Sequence, residues 1–337
     1  MKIKFILSLT ILFTAYFVFS QGKVKYFDLN FTDKKIDNSL YNDIKLLDSR
    51  EDTSNLGLVR LGLLDKEAAV LLNGSFETQL GVLLTKMNGT SVASNQLVFQ
   101  LRRLKFVEKA EARKEFGYCF FRANLFTPVQ GGYKLISAID TFIAVESNDV
   151  TKQVIEKANK TIVAFVKNAL TKDIANASVL SINEVVKIDS IEKLKIKVYN
   201  TNDYVNGIYC TFEAFKNQQP DFTLFSITFE DGEISEVKAK NEKGRLKKVS
   251  SENVYAIVNK GTPYISAQFG FYPLVKNNND FYFIGDDKIN YIKGQIVKSN
   301  SLFNNSEYVY SPLPITSVYE IKIDHVNGRF MRVKEIK

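Results

Sequence analysis

The sequence predicts an α+β fold in two parts: an N-terminal antiparallel sheet covered by two helices, then a β-rich C-terminal domain of sandwich or barrel type. Three observations predict it. Two stretches, 67–87 and 150–169, space their apolar residues by three and four. Between them lie three strand-like runs, and beyond residue 190 short strand patterns recur between Gly and Asn turns. The chain of 337 residues is long enough for about two domains. Its 45% hydrophobic and 24% charged residues are globular proportions and argue against disorder. The expected division is a signal peptide over 1–21, an α+β domain over 22–172, a linker over 173–190 and a β-rich domain over 191–337.

Lys2 and Lys4 form a short basic start, Phe5 to Phe19 is apolar except for Ser8, Thr10 and Thr14, and Ser20-Gln21-Gly22 follows. This is the pattern of a secretory signal peptide cleaved near Gln21. An exported protein, periplasmic or secreted, is expected, either soluble or peripherally attached. No Cys lies near the cleavage site to carry a lipid anchor. No later stretch sustains the ~18 apolar residues of a membrane span, so an integral membrane protein is not expected. Cleavage would lower the net charge of +8 by two. A surplus that small, spread along the chain, is no nucleic-acid footprint.

The first half is read in order. Ile44 to Leu47 is a short strand ending in Asp48-Ser49-Arg50. Glu67 to Met87 reads as one amphipathic helix with Gly74 and Gly81 as weak points, stopped by Asn88-Gly89. Leu97–Val107, Phe116–Phe126 and Tyr133–Glu146 are strands, the last two joined by a turn at Gly131-Gly132. A second helix starts at Asn148 or Asp149, either of which can cap it. Its stripe is Val150, Val154, Ala158, Ile162, Phe165 and Ala169.

In the second half the strand candidates are Leu194–Tyr199, Thr223–Phe229, Val254–Val258, Tyr264–Phe269, Phe281–Ile284 and Ile289–Val297. Val318–Ile323 and Phe330–Ile336 flank Asn327-Gly328, the strongest short hairpin signal in the chain. Thr211 to Lys216 reads as one short helix before Pro220.

The strand ending in Asp48-x-Arg50, Gly57 a few residues on, a long helix, three strands and a terminal helix resemble a known type. They are similar to the small periplasmic lipoproteins of gram-negative bacteria that accompany outer-membrane transport and assembly systems. The lipobox Cys of those proteins is absent here. Residues 207–220, GIYCTFEAFKNQQP, with the later aromatic strands, resemble uncharacterised secreted two-domain proteins of gram-negative bacteria. That second resemblance implies no activity.

One His, two Cys and no Trp leave little material for catalysis or metal binding. His325 is expected at the exposed tip of the terminal hairpin, a poor place for a catalytic imidazole. Cys119 and Cys210 read either as two buried thiols or as a disulfide pair. No Cys-x-x-Cys or His cluster offers a zinc set, and neither a Walker loop nor a Gly-x-Ser-x-Gly elbow occurs. No cofactor and no metal are therefore expected. Glu230-Asp231-Gly232-Glu233 and Asp286-Asp287 are the densest acids, and both read as strand ends or turns.

Three features are left as candidates. Asp48 and Arg50 read as a turn-locking pair. Lys238, Lys240, Lys243, Arg245, Lys247 and Lys248 read as a contact for anionic lipid or polysaccharide, or as a solvated edge that discourages strand pairing. The aromatic residues Tyr255, Tyr264, Phe269, Phe271, Tyr272, Phe281, Tyr282 and Phe283 read as a binding platform or as β core. The expected function is a non-catalytic binding or adaptor protein of the cell envelope, with another envelope protein as partner. The alternative is a hydrolase of envelope or extracellular polymers using carboxylates of the β-rich domain.

Overall fold

A computed structural model of the chain describes residues 23–30, 35–62, 66–89, 92–111, 114–147, 149–172, 174, 177–223, 225–240, 243–267, 270–285 and 318–336. The predicted signal peptide, the strand Ile289–Val297, Asp286-Asp287 and Phe269 lie outside the described residues. The chain divides into two compact units between Leu180 and Ser181.

The first unit contains β1 (Lys23–Phe27), β2 (Ser39–Asp48), β3 (Gly57–Leu61), β4 (Lys66–Leu72), α1 (Phe76–Met87), β5 (Val92–Glu111), β6 (Lys114–Val129), β7 (Gly132–Ser147), α2 (Val150–Ala169) and β8 (Val179–Leu180). Its strands form one sheet in the order β1-β4-β3-β5-β6-β7-β8, with β2 also paired to β5. The sheet curls into a half-barrel. β5 serves two neighbours on one side because it is long: Val92–Leu101 pair with β2, and Phe106 and Val107 pair with β3.

The sheet is mixed, where the sequence predicts an antiparallel one. The pairs β1–β4, β2–β5 and β3–β5 are parallel, while β5, β6, β7 and β8 follow one another antiparallel. The reason is the connection after β2. The chain leaves through the β3–β4 hairpin and returns through α1, and a strand re-entered through a crossover helix runs parallel.

The helix predicted over 67–87 is also divided. Its first third is β4, with Ala68 and Val70 buried on one side, and α1 begins only at Phe76. Gly74 (φ +80°) turns the chain between them, and Ser75 caps α1 by accepting a hydrogen bond from Thr78 N–H. Ala68, Leu71 and Leu72 suit either period over so short a run, so spacing alone did not separate strand from helix.

The second helix follows its predicted stripe. Val150, Val154, Ala158, Ile162, Phe165 and Ala169 are all buried, and Asp149 is the cap. Both helices lie on one face of the sheet, because Phe99 of β5 meets rings from each. Its centroid is 6.0 Å from Phe76 of α1 and 6.1 Å from Phe165 of α2, both nearly perpendicular.

The segment predicted as a linker holds β8, which pairs with Tyr133 and Lys134 of β7, and the start of the second unit's helices. That unit contains α3 (Ile182–Val186), α4 (Ile188–Leu194), a 3-10 turn at Lys197–Tyr199, β9 (Gly207–Tyr209), α5 (Phe212–Lys216), β10 (Phe225–Glu230), β11 (Glu233–Lys240), β12 (Leu246–Lys248), β13 (Ala256–Asn259), β14 (Thr262–Ala267), β15 (Gly270–Pro273), β16 (Val275–Asn277), β17 (Asp280–Gly285), β18 (Val318–Ile323) and β19 (Phe330–Ile336). The strand predicted over Leu194–Tyr199 is instead a helix end and a 3-10 turn; Asn200 donates its side-chain amide to the carbonyls of Lys193 and Ile196 and holds it. Three sheets result: β10-β11-β12, β15-β14-β13-β9 and β16-β17-β18-β19. A core around Tyr199, Tyr209, Phe215, Phe281 and Ile321 and a smaller one around Val237 and Ile257 fill the unit.

Candidate functional site

The sheet of the first unit has one face under the helices and one without them. Alternation assigns each residue. Phe99, Cys119, Phe121 and Ala123 belong to the core that α1 and α2 cover. Their strand neighbours Gln100, Phe120, Arg122 and Asn124 therefore point to the opposite face.

That face is polar and aromatic; Gln100, Tyr118, Phe120, Arg122 and Asn124 at its centre are buried, while Arg103, Phe116 and Phe142 are half-buried and Asp140 is exposed. Gln100 and Asn124 are partners in register, and Asn124 Nδ2 donates to Gln100 Oε1 at 2.9 Å. Gln100 Nε2 in turn donates to Ser49 Oγ at 3.1 Å. Arg122 Nε meets Asp140 Oδ1 of β7 at 2.9 Å, with the arginine buried and the aspartate partly exposed. Phe116, Tyr118 and Phe142 form a stack with interplanar angles of 9° and 12°. Phe120 adds to it 5.0 Å from Phe142, and the Arg103 guanidinium lies 4.3 Å over the Phe120 ring.

Asp48 and Arg50 form a bidentate pair at the end of β2. Arg50 Nε donates to Oδ1 at 2.9 Å and Nη2 to Oδ2 at 2.7 Å, while the Arg50 amide also bonds Oδ1. The arginine side chain is buried, and among the described residues its Nη1 has no hydrogen-bond partner.

The basic run occupies β11, β12 and the turn between them. Lys238 stands directly opposite Lys248, and Lys240 opposite Leu246. Lys247 is paired with the buried Ala239 and so belongs to the other side of this small sheet. Lys243 and Arg245 lie in the connection, both exposed. Glu236 forms an ion pair with Lys238, which offsets the repulsion between Lys238 and Lys248. The structure thus spreads the six cations over two sides and a turn.

His325 lies elsewhere than the sequence suggests. It is buried, and its Nε2 is 2.9 Å from Glu192 Oε2 of α4. Asp324, also buried, organises the hairpin tip. Its Oδ1 accepts from Val326 N–H, its carbonyl from Gly328 N–H, and its own N–H donates to Arg329 O. Tyr199 packs edge-on to the imidazole at 6.4 Å. Asp189, one helical turn before Glu192, completes a trio whose ligand atoms all lie within 4.8 Å of one another. Spacing could have shown the Asp189–Glu192 pair, but nothing local announces a His 133 residues away.

The remaining candidates are structural. Cys119 and Cys210 are free, and burial pushes both thiols up, so neither is an activated nucleophile. In the aromatic band, Phe281 and Phe283 are core residues and Tyr255, Tyr264, Phe271 and Tyr272 pack against the cores. Glu230 to Glu233 form the turn of the β10–β11 hairpin, with Asp231 and Gly232 both at positive φ. Among the described residues no helix is long and apolar enough to cross a membrane.

No protein-family model and none of the curated proteins matches this chain. Among solved structures it is weakly similar to protein XCC0632 from the gram-negative bacterium Xanthomonas campestris, of the DUF330 family. That likeness covers 44% of this chain and 94% of the other, at 9% identity and a TM-score of 0.26. So low a score carries no argument about function.

Proposed function

We propose that the protein is a non-catalytic binding or adaptor protein of the cell envelope that uses the accessible rim of the helix-free face of its first unit's sheet, around Arg103, Phe116, Asp140 and Phe142. The observation that carries this reading is the composition of that face. A sheet face that served packing alone would carry no charge, whereas this one sets Arg103 on Phe120 and Arg122 on Asp140 beside the ring stack of Phe116, Tyr118 and Phe142. Arg and aromatic side chains dominate the binding energy of protein interfaces, which favours another protein as the partner. The basic start and apolar run from Phe5 to Phe19 support export, and the Asp48-x-Arg50 resemblance to periplasmic lipoproteins points the same way.

The test is affinity capture from the native envelope with wild type beside a Phe116→Ala, Phe142→Ala variant. Both positions are half-buried and the Arg122–Asp140 pair is left intact, so the variant should fold. A co-purifying envelope protein present with wild type and lost with the variant supports the reading. Identical capture by both overturns it. Mass spectrometry of the native N-terminus checks export, since an intact Met1 would reject cleavage near Gln21.

A further inference from the structure

We propose that Asp189, Glu192 and His325 of the second unit form a binding site for a divalent metal ion of the zinc type. Three features of the trio support this. The donor set is one imidazole nitrogen and two carboxylate oxygens, the mixed N/O chemistry that zinc and its neighbours accept. The two acids are three residues apart on α4, so the helix presents both on one side. The three donor atoms already lie within 4.8 Å of one another, with His325 Nε2 and Glu192 Oε2 at 2.9 Å. Ligand bonds of about 2.0–2.1 Å at a tetrahedral centre set donors roughly 3.3 Å apart, so small side-chain rotations would seat an ion.

The surroundings favour a site over a simple ion pair. The imidazole is fixed before any ion arrives, by the Asp324-centred turn and by the Tyr199 ring. The carboxylates are partly exposed, which leaves an entry path and room for water as a further ligand. Binding would replace the Nε2···Oε2 hydrogen bond by two bonds to the ion; a proton on Nε2 of the neutral imidazole would move to Nδ1, and an imidazolium would lose one proton to solvent.

The experiment is calorimetric titration of the full chain, prepared without a polyhistidine tag, with zinc chloride alone. One-to-one saturable binding is expected, together with a rise in melting temperature that grows with free zinc. His325→Gln and Asp189→Asn should each weaken binding by at least about tenfold, the loss that follows removal of even a ligand's hydrogen-bonding neighbour. Asp189→Asn leaves the His325–Glu192 contact intact, so it decides the matter if the histidine variant does not fold. A Glu233→Gln variant, changed in the exposed β10–β11 turn, should bind as wild type. Absence of saturable binding, or binding unchanged by Asp189→Asn, overturns the proposal and leaves a histidine–glutamate hydrogen bond. Neither outcome bears on the binding face of the first unit.

Discussion

Lys193 and Asp280 form an ion pair at 2.6 Å with each side chain about nine-tenths buried. Lys322 reaches the second oxygen of the same carboxylate at 3.0 Å and is as deeply placed. One aspartate thus holds two ammonium groups, and it ties α4 to β17 and β18. Tyr199 packs beside this triad with its hydroxyl buried and without a hydrogen-bond partner among the described residues. Burial first, and the carboxylates of Asp280 and Asp324 next, push that phenol up, so it stays neutral.

Asp280→Asn is therefore expected to be among the most damaging single changes. It would strand two buried cations, and breaking a buried ion pair from one side costs about 3–5 kcal/mol. Urea unfolding checks this. A loss below about 1 kcal/mol would show that water reaches the triad and that its burial contributes little.

Gly328→Ala should cost more than Gly261→Ala, although both glycines have nearly the same backbone, at φ +72° and +78°. A side chain at this φ costs about 1–2 kcal/mol in either place. At Gly261 a new methyl meets open space, whereas at Gly328 it would run into the Cβ and Cγ of Phe212. Thermal melts of the two variants side by side measure the difference. Equal melting temperatures would mean that α5 yields freely.

Glu108 gives the stability a pH dependence in the unusual direction. Its Oε2 accepts from Arg60 N–H at 2.6 Å, while Oε1 is buried without a hydrogen-bond partner by distance and angle among the described residues. Burial raises its carboxyl above the usual 4.5 against hydrogen bonds from Thr151 and Arg60 that pull it down, and the negative charges of Glu115 and Asp149 push it up as well. The folded state then binds the proton more tightly than the unfolded state. This group's contribution is fully present below pH 4.5 and is lost as pH rises through the raised folded value. Glu108→Gln should gain stability relative to wild type as pH rises above 4.5, then hold a constant difference. Denaturation across a pH series reads it, and a pH-independent difference would place the carboxyl in water.

For the basic run, weak and salt-sensitive adsorption to anionic lipid or acidic polysaccharide is expected. Each Lys or Arg near such a surface adds about 1 kcal/mol at most, and the split over two sides of the sheet prevents all six from acting together. Changing Lys243, Arg245, Lys247 and Lys248 to Gln should leave folding intact, because all four are exposed. Sedimentation with phosphatidylserine vesicles across a salt series compares variant with wild type. Equal binding would reduce the run to a solvated edge that blocks strand pairing.

Local chemistry was enough for the hairpins and for α2. Gly131-Gly132 turns β6 into β7, Asn327-Gly328 separates β18 from β19, and Asp149 with its stripe starts α2. Each depends on backbone preferences and side-chain periods within a few residues, which any chain with those residues would share. Residues 66–72 were ambiguous on the same grounds, and their pairing with β1 and β3 made them a strand. The parallel placement of β2 beside β5 came from the route of the chain through α1. The Asp48–Arg50 pair was legible because its partners are two residues apart. The helix-free face, the Lys193–Asp280–Lys322 triad and the meeting of His325 with Glu192 were not. Their members come from separate strands and helices, and only the packing of those elements brings the side chains within bonding distance.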